Sequence, residues 1–125
     1  VSMDGPAVFD TNILIDLFNN RSEAADAIEQ RGPHRAVSLV TWMEVMAGAK
    51  KYGQEARTAG VFSLFEVVDI NKEIARRSVS LRATYGMKLP DAIILATAQA
   101  RGSALITRNT KDFAGIPGVI TPYRF

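Results

Sequence analysis

Ala7-Val8-Phe9-Asp10-Thr11-Asn12-Ile13-Leu14-Ile15-Asp16-Leu17-Phe18 carries two periodicities end to end. Residues 7–9 are a short apolar run that stops on an acid, the pattern of a buried strand. From Thr11 the spacing changes. Ile13, Leu14, Leu17 and Phe18 recur at i, i+1, i+4 and i+5, one face of a helix over residues 11–19. A strand that feeds directly into a helix, with Asp10 at the junction, is the opening unit of an α/β protein.

The rest of the chain repeats that alternation. Residues 36–38, 64–68, 104–107 and 119–121 read as further short strands. Helices are expected over residues 22–30, 40–52 and 55–63, from an Asp69 or Asn71 cap to about Tyr85, and over residues 91–101. Gly32-Pro33, Gly53 and Gly102 supply the stops, and Pro90 sits in a first turn where its missing N–H costs nothing. These elements predict one α/β domain over residues 1–125, a three-layer sandwich around a mostly parallel five-stranded sheet. In such sheets ligands bind outside the carboxyl ends of the strands, which says where to look for chemistry.

Composition narrows the class. With 125 residues, 47% hydrophobic and 22% charged, the chain is one globular domain and not a disordered segment. It has no Cys, which excludes disulfides, thiolate nucleophiles and Cys-based zinc sites and fits a cytoplasmic protein. No apolar run approaches the roughly 18 residues a membrane span needs. Residues 1–7 contain Asp4 and no basic segment, so no signal peptide is expected there.

Four acids then stand out. Asp10 follows the first strand, Glu44 lies among Trp42, Met43, Val45 and Met46, Asp91 opens a helix, and Asp112 follows Thr107-Arg108-Asn109. Each has an ordinary reading. Asp10 fits an N-cap, Thr41 to Glu44 fits a capping box, Asp91 favours the helix dipole, and Asp112 starts a turn. Taken together they point elsewhere, because the fold rule gathers Asp10, Asp91 and the turn from Thr107 at one edge of the sheet. Clustered carboxylates repel unless a cation holds them ionised. Hard oxygen donors, no Cys and the single His34, in a surface turn, favour Mg²⁺ or Mn²⁺ over zinc. Net charge is +2; without Asp10, Glu44 and Asp91 it is 15 basic against 10 acidic side chains, or +5. An acidic metal site in a basic chain suits a phosphodiester substrate. Trp42, Met43 and Met46 read as core packing.

The order of these blocks resembles the PIN-domain ribonucleases, and within them the VapC-like toxins of toxin–antitoxin pairs. The resemblance rests on residues 8–14, on Glu44, on Leu89-Pro90-Asp91-Ala92-Ile93-Ile94-Leu95-Ala96-Thr97-Ala98, and on Leu105-Ile106-Thr107-Arg108-Asn109-Thr110-Lys111-Asp112-Phe113. It implies a sheet in 3-2-1-4-5 order and an acidic pocket for Mg²⁺ or Mn²⁺. Asp10, Glu44 and Asp91 match its acidic positions; at the fourth, Asn109 stands where the family often has an acid, with Asp112 nearby. Thr11, Asn12 and Thr107 are the implied supports of that pocket.

The implied activity is endoribonuclease cleavage, with Asp10 and Asp91 holding the ion and Glu44 orienting the attacking water or taking its proton. Asn109 and Asp112 would complete the shell. Arg76, Arg77, Arg82, Lys88 and Arg108 are the basic side chains expected to neutralise the RNA backbone. The resemblance also implies a small VapB-like antitoxin whose tail enters the acidic groove, and a homodimer. Ile13, Leu17, Phe18, Val61, Phe62 and Leu64 are candidate contacts for these partners, or else core. The alternatives are a catalytically degenerate RNA- or protein-binding module, an aspartate-nucleophile phosphohydrolase, and a phosphoacceptor domain. The second lacks its usual acid at Asn12, and the third has only Asp69 after the third strand.

Overall fold

The computed structural model describes residues 5–125; residues 1–4, and with them most of the stretch expected to lack a signal peptide, lie outside it. The elements run β1 (Ala7–Phe9), α1 (Thr11–Phe18), α2 (Ser22–Glu29), β2 (Arg35–Ser38), α3 (Leu39–Lys51) and α4 (Glu55–Phe62). Then come β3 (Glu66–Val68), α5 (Lys72–Tyr85), α6 (Leu89–Ala100), β4 (Ala104–Ile106) and β5 (Val119–Ile120). All strand pairings are parallel and their order is β3-β2-β1-β4-β5.

The central strands are buried on both faces, so they read as unbroken apolar runs. Alternate side chains part to opposite layers. Ala7, Phe9, Ala104 and Ile106 join Ile13, Leu14, Val37 and Phe62 under α1–α4. Val8 and Leu105 join Ile74, Leu81, Ala92 and Leu95 under α5 and α6. Phe65 packs edge-on against both Phe9 and Phe62. Gly86, left-handed at φ 66°, ends α5 and turns the chain into α6. No helix among the described residues is long and apolar enough to cross a membrane.

Several expectations are corrected. Helix α3 starts at Leu39 and is capped by Ser38, whose Oγ accepts the Val40 N–H at 3.1 Å. The Thr41–Glu44 capping box therefore does not form. Val40, Thr41, Val45 and Ala49 form the buried stripe of α3, which leaves Trp42 (37% exposed) and Met43 (47% exposed) outward, where core packing was expected; Met46 lies at the core margin. Ile13 and Phe62 are buried, so of the candidate partner contacts only Leu17, Phe18, Val61 and Leu64 reach the surface. A short turn of helix, which the sequence allows near Asp112, does not form, and Asp112 lies in a run of turns.

The strand order reverses between β1 and β4, and the crevice at such a reversal is where the fold opens to a ligand. Asp10 and Thr107 are the residues that leave those two strands.

Candidate active site

Asp10 leaves β1 as the N-cap residue of α1 and is 4% exposed. Its backbone N–H still donates to the Ile106 carbonyl at 2.9 Å, which holds the junction to β4. Oδ1 accepts the Thr11 N–H at 2.7 Å, and Oδ2 accepts the Thr107 hydroxyl at 2.7 Å. The Asn12 amide reaches Oδ2 at 3.5 Å and Thr107 Oγ1 at 3.3 Å. Every one of these donors is neutral. Burial pushes the Asp10 carboxyl up to about 6, against the hydrogen bonds from Thr107 and Thr11, and the charges of Asp91 and Glu44 add to the rise.

Glu44 approaches from the second turn of α3. Its Oε1 accepts the Thr11 hydroxyl at 2.7 Å, and Thr11 Oγ1 is 3.0 Å from Thr41 Oγ1. Thr11 has one hydroxyl proton and spends it on the carboxylate, so Thr41 is the donor in the second bond. Thr41, fully buried, thereby fixes Thr11, and Thr11 fixes Glu44.

Asp91 is half-buried in the first turn of α6. Burial and the neighbouring charges of Asp112 and Glu44 push its carboxyl up, opposed by Lys88 at the helix cap. Asp112 is held by Asn109: the Asn109 Oδ1 accepts the Asp112 N–H at 3.0 Å and its Nδ2 donates to Asp112 Oδ2 at 2.9 Å. A backbone N–H can only donate, so the amide orientation is fixed. Asn109 thus positions Asp112, and Asp112 brings the charge to the neighbourhood of Asp91.

The structure therefore brings Asp91 within electrostatic reach of Asp10, Glu44 and Asp112, and Asp10 within reach of Glu44, with Thr11, Asn12, Thr107 and Asn109 hydrogen-bonded among these acids. Of the basic candidates, Arg76, Arg77 and Arg82 are exposed on α5, and Lys88 is exposed beside Asp91. Arg77 pairs with Glu73 at 3.3 Å, and Arg82 donates to the Met87 carbonyl. Arg108 differs from these: its Nε and Nη2 donate to the two oxygens of Asp16 at 2.7 and 2.9 Å, so its guanidinium faces α1.

Asp16 has no role in the sequence reading, and Thr41 enters it only as a helix cap for Glu44, not as the donor that fixes Thr11. Asp16 sits three residues after Ile13 on the buried face of α1, and an acid inside an apolar stripe was the available signal. Concavity alone does not find the carboxylates. A cleft of about 440 Å³ opens at the opposite edge of the sheet, lined by Pro6, His34, Arg35, Glu66, Arg101 and Ser103. There Arg101 and Glu66 satisfy each other in a two-pronged ion pair.

Among the described residues, no three acidic or histidine side chains are gathered tightly enough to form a ready-made metal cage. Oxygen-only donors of this kind fit a hard cation such as Mg²⁺ or Mn²⁺. Mg²⁺ keeps several waters and binds through one or two carboxylates plus substrate phosphate. The donor set is all hard oxygen, and two of its carboxyls are held above their ordinary range without a cationic partner in the first hydrogen-bond ring.

Comparison with known proteins bears on the family. The family model described as the PIN domain matches residues 7–119. A curated relative, the tRNA(fMet)-specific endonuclease VapC of Salmonella typhimurium, is 29% identical over 122 residues, covering 90% of this chain and 92% of the relative. The protein of the same name from Shigella flexneri is 27% identical over 124 residues. Among solved structures, one chain of a toxin–antitoxin complex from Klebsiella pneumoniae is 64% identical with a TM-score of 0.92, covering 95% of this chain and 99% of that one. A chain of DNA-bound VapBC from Salmonella typhimurium is 25% identical with a TM-score of 0.76, covering 91% and 94%.

Proposed function

Because this chain belongs to the PIN domain family, we propose that it is a Mg²⁺- or Mn²⁺-dependent endoribonuclease acting as the toxin of a toxin–antitoxin pair. The observation that carries the reading is Asp10: a buried carboxylate with neutral hydrogen-bond donors, other carboxylates around it, and a carboxyl held near 6. Such a group stores unfavourable energy that a divalent cation relieves.

Asp10 and Asp91 would hold the ion, with Asp112 in support. When bound, the ion would polarise a phosphoryl oxygen and make a nearby water more acidic. The chain's own residues do the rest. Glu44, locked in place by Thr11 and Thr41, takes a proton from the attacking water. The water oxygen forms a bond to phosphorus, the bond to the 3′ oxygen breaks in line, and a proton reaches that leaving oxygen. The products are a 5′-phosphate and a 3′-hydroxyl. Lys88 and the exposed arginines of α5 supply the positive surface on which the RNA backbone lies. The two VapC relatives are named for tRNA(fMet), which makes it the first substrate to test.

A VapB-like antitoxin is the proposed partner, since the structural relatives include toxin–antitoxin complexes. A groove of about 310 Å³ between α1, α3 and α4, lined by Ile15, Phe18, Val45 and Tyr52, has Glu44 on its wall. It offers an apolar seat beside the acids for an antitoxin segment. We also propose a homodimer, to be checked by light scattering.

The test is incubation of the chain with tRNA(fMet) and other RNAs, with Mg²⁺, Mn²⁺ or EDTA, alongside Asp10→Ala and Asp91→Ala. Cleavage that needs the metal and both acids is expected. Cleavage that survives EDTA or either substitution contradicts the mechanism, and metal-indifferent binding with no product supports the non-catalytic alternative.

A further inference from the structure

The residues that hold Asp10 are themselves held from a distant part of the chain. Asp16, 4% exposed, accepts Arg108 Nε and the Tyr123 hydroxyl on the same Oδ2, each at 2.7 Å, and Arg108 Nη2 on Oδ1 at 2.9 Å. The Arg108 backbone N–H donates to Asn12 Oδ1 at 3.3 Å. The Asn12 amide donates to Thr107 Oγ1, and Thr107 gives its hydroxyl proton to Asp10. A continuous chain of hydrogen bonds therefore runs from the segment after β5 to the candidate metal-binding carboxylate. The tail is tied a second time, because the Phe125 ring lies 4.4 Å from the Arg21 guanidinium and 5.2 Å from that of Arg108.

We infer that Tyr123 and Asp16 are positioning residues of the active site, acting through Arg108 to set the loop that leaves β4. That loop needs such a device. Residues 107–118 contain no helix or strand, yet they carry Thr107, Asn109 and Asp112. Helix α1 gives a rigid reference, with Asp10 at its cap and Asp16 in its second turn. A planar guanidinium forked onto Asp16 fixes Arg108 in distance and angle. With Arg108 pinned, Thr107 on one side meets Asp10, and Asn109 on the other carries Asp112 toward Asp91. Tyr123 supplies the third hydrogen bond to Asp16. Its ring also packs at the margin of the α1–α4 core, so Tyr123→Phe removes the hydroxyl and keeps the packing.

The activity readout of this inference rests on the nuclease reading; a second readout does not. The test compares wild type, Tyr123→Phe and Arg108→Lys as full chains. It measures kcat and KM on tRNA(fMet) with Mn²⁺, and amide hydrogen exchange at residues 107–109 by NMR. Loosening the loop by a fraction of an ångström is expected to lower kcat about 10-fold in Tyr123→Phe and about 100-fold in Arg108→Lys, with KM within about twofold. Exchange at Arg108 is expected to rise about 10-fold in Tyr123→Phe while the amides of β1 and β4 stay as in wild type. Wild-type kcat together with unchanged exchange at residues 107–109 in both variants overturns the inference. So does a uniform rise in exchange across β1 and β4, which marks plain destabilisation. If the wild type cuts no RNA, the nuclease reading fails, and the exchange at Arg108 still decides: a local rise supports the positioning role and no change overturns it.

Discussion

Asp10 and Asp16 lie six residues apart, one capping the start of α1 and the other in its last turn, and each is 4% exposed. Their surroundings set them in opposite directions. Burial works against the charge of both. At Asp16 the hydrogen bonds from Arg108 and Tyr123, with the charges of Arg108 and Arg21, outweigh it and hold the carboxyl below its usual range. At Asp10 burial prevails over hydroxyl and amide donors, Asp91 and Glu44 add repulsion, and the carboxyl rises to about 6. The pair teaches that burial of an acid does not by itself mark a functional site. The neutralised one ties distant parts of the chain together; the one left without a cation is the one proposed to bind the metal.

Exchanging either acid for its amide is the sharpest way to break the comparison. Asp10→Asn is expected to lower RNA cleavage by about 10³-fold or more, measured as kcat/KM, while leaving the fold intact. Asp16→Asn strands the Arg108 guanidinium and is expected to destabilise the fold by about 2–4 kcal/mol in urea unfolding at pH 7.5. Equal stability losses in the two variants would erase the distinction.

Acid dependence separates them further. Between about pH 4 and pH 6 the folded, metal-free protein keeps a proton on Asp10 that the unfolded chain has released, so stability falls as pH rises across that window. Asp10→Asn is therefore expected to be more stable than wild type by ~2–3 kcal/mol at pH 7.5, and the gain should vanish near pH 4. For Asp16 the sign is reversed. Its contribution is complete above the ordinary carboxylate range and is lost as pH falls through its lowered value, so the penalty of Asp16→Asn should shrink in acid. In the same vein, affinity for Mn²⁺ is expected to drop by about tenfold per pH unit below 6, where Asp10 takes up its proton. The smallest effect belongs to the support of Glu44. Thr11→Val removes the hydrogen bond to Glu44 and the acceptor of the Thr41 hydroxyl, and should lower kcat about 10-fold, with Thr11→Ser restoring it.

What the sequence revealed follows the range of the interactions involved. The strand-to-helix junction at Asp10 and the positions of Asp91 and Asp112 were readable because apolar periodicity and turn residues are local signals. The partner of Glu44 was not, because it depends on where α3 begins. A start one turn later would have made Thr41 its cap; the observed start at Leu39 sends Glu44 to Thr11, 33 residues away. Trp42 and Met43 are outward because Val40, Thr41, Val45 and Ala49 form the buried stripe, a choice of face that apolar character alone does not decide. Asp16 was passed over because its partners, Arg108 and Tyr123, lie 92 and 107 residues along the chain. Only the sheet order, with β4 beside β1, brings them together.

The central claim is that Asp10 is held in readiness for a divalent cation, and Mn²⁺-dependent thermal unfolding at pH 7.5 tests it most directly. Mn²⁺ at a hundredfold excess over its Kd should stabilise the wild type by about 2.7 kcal/mol, a rise of several degrees in Tm. Asp10→Asn should start from a higher Tm and respond to Mn²⁺ hardly at all. Equal Mn²⁺ shifts in the two proteins, or none in the wild type, would contradict the claim.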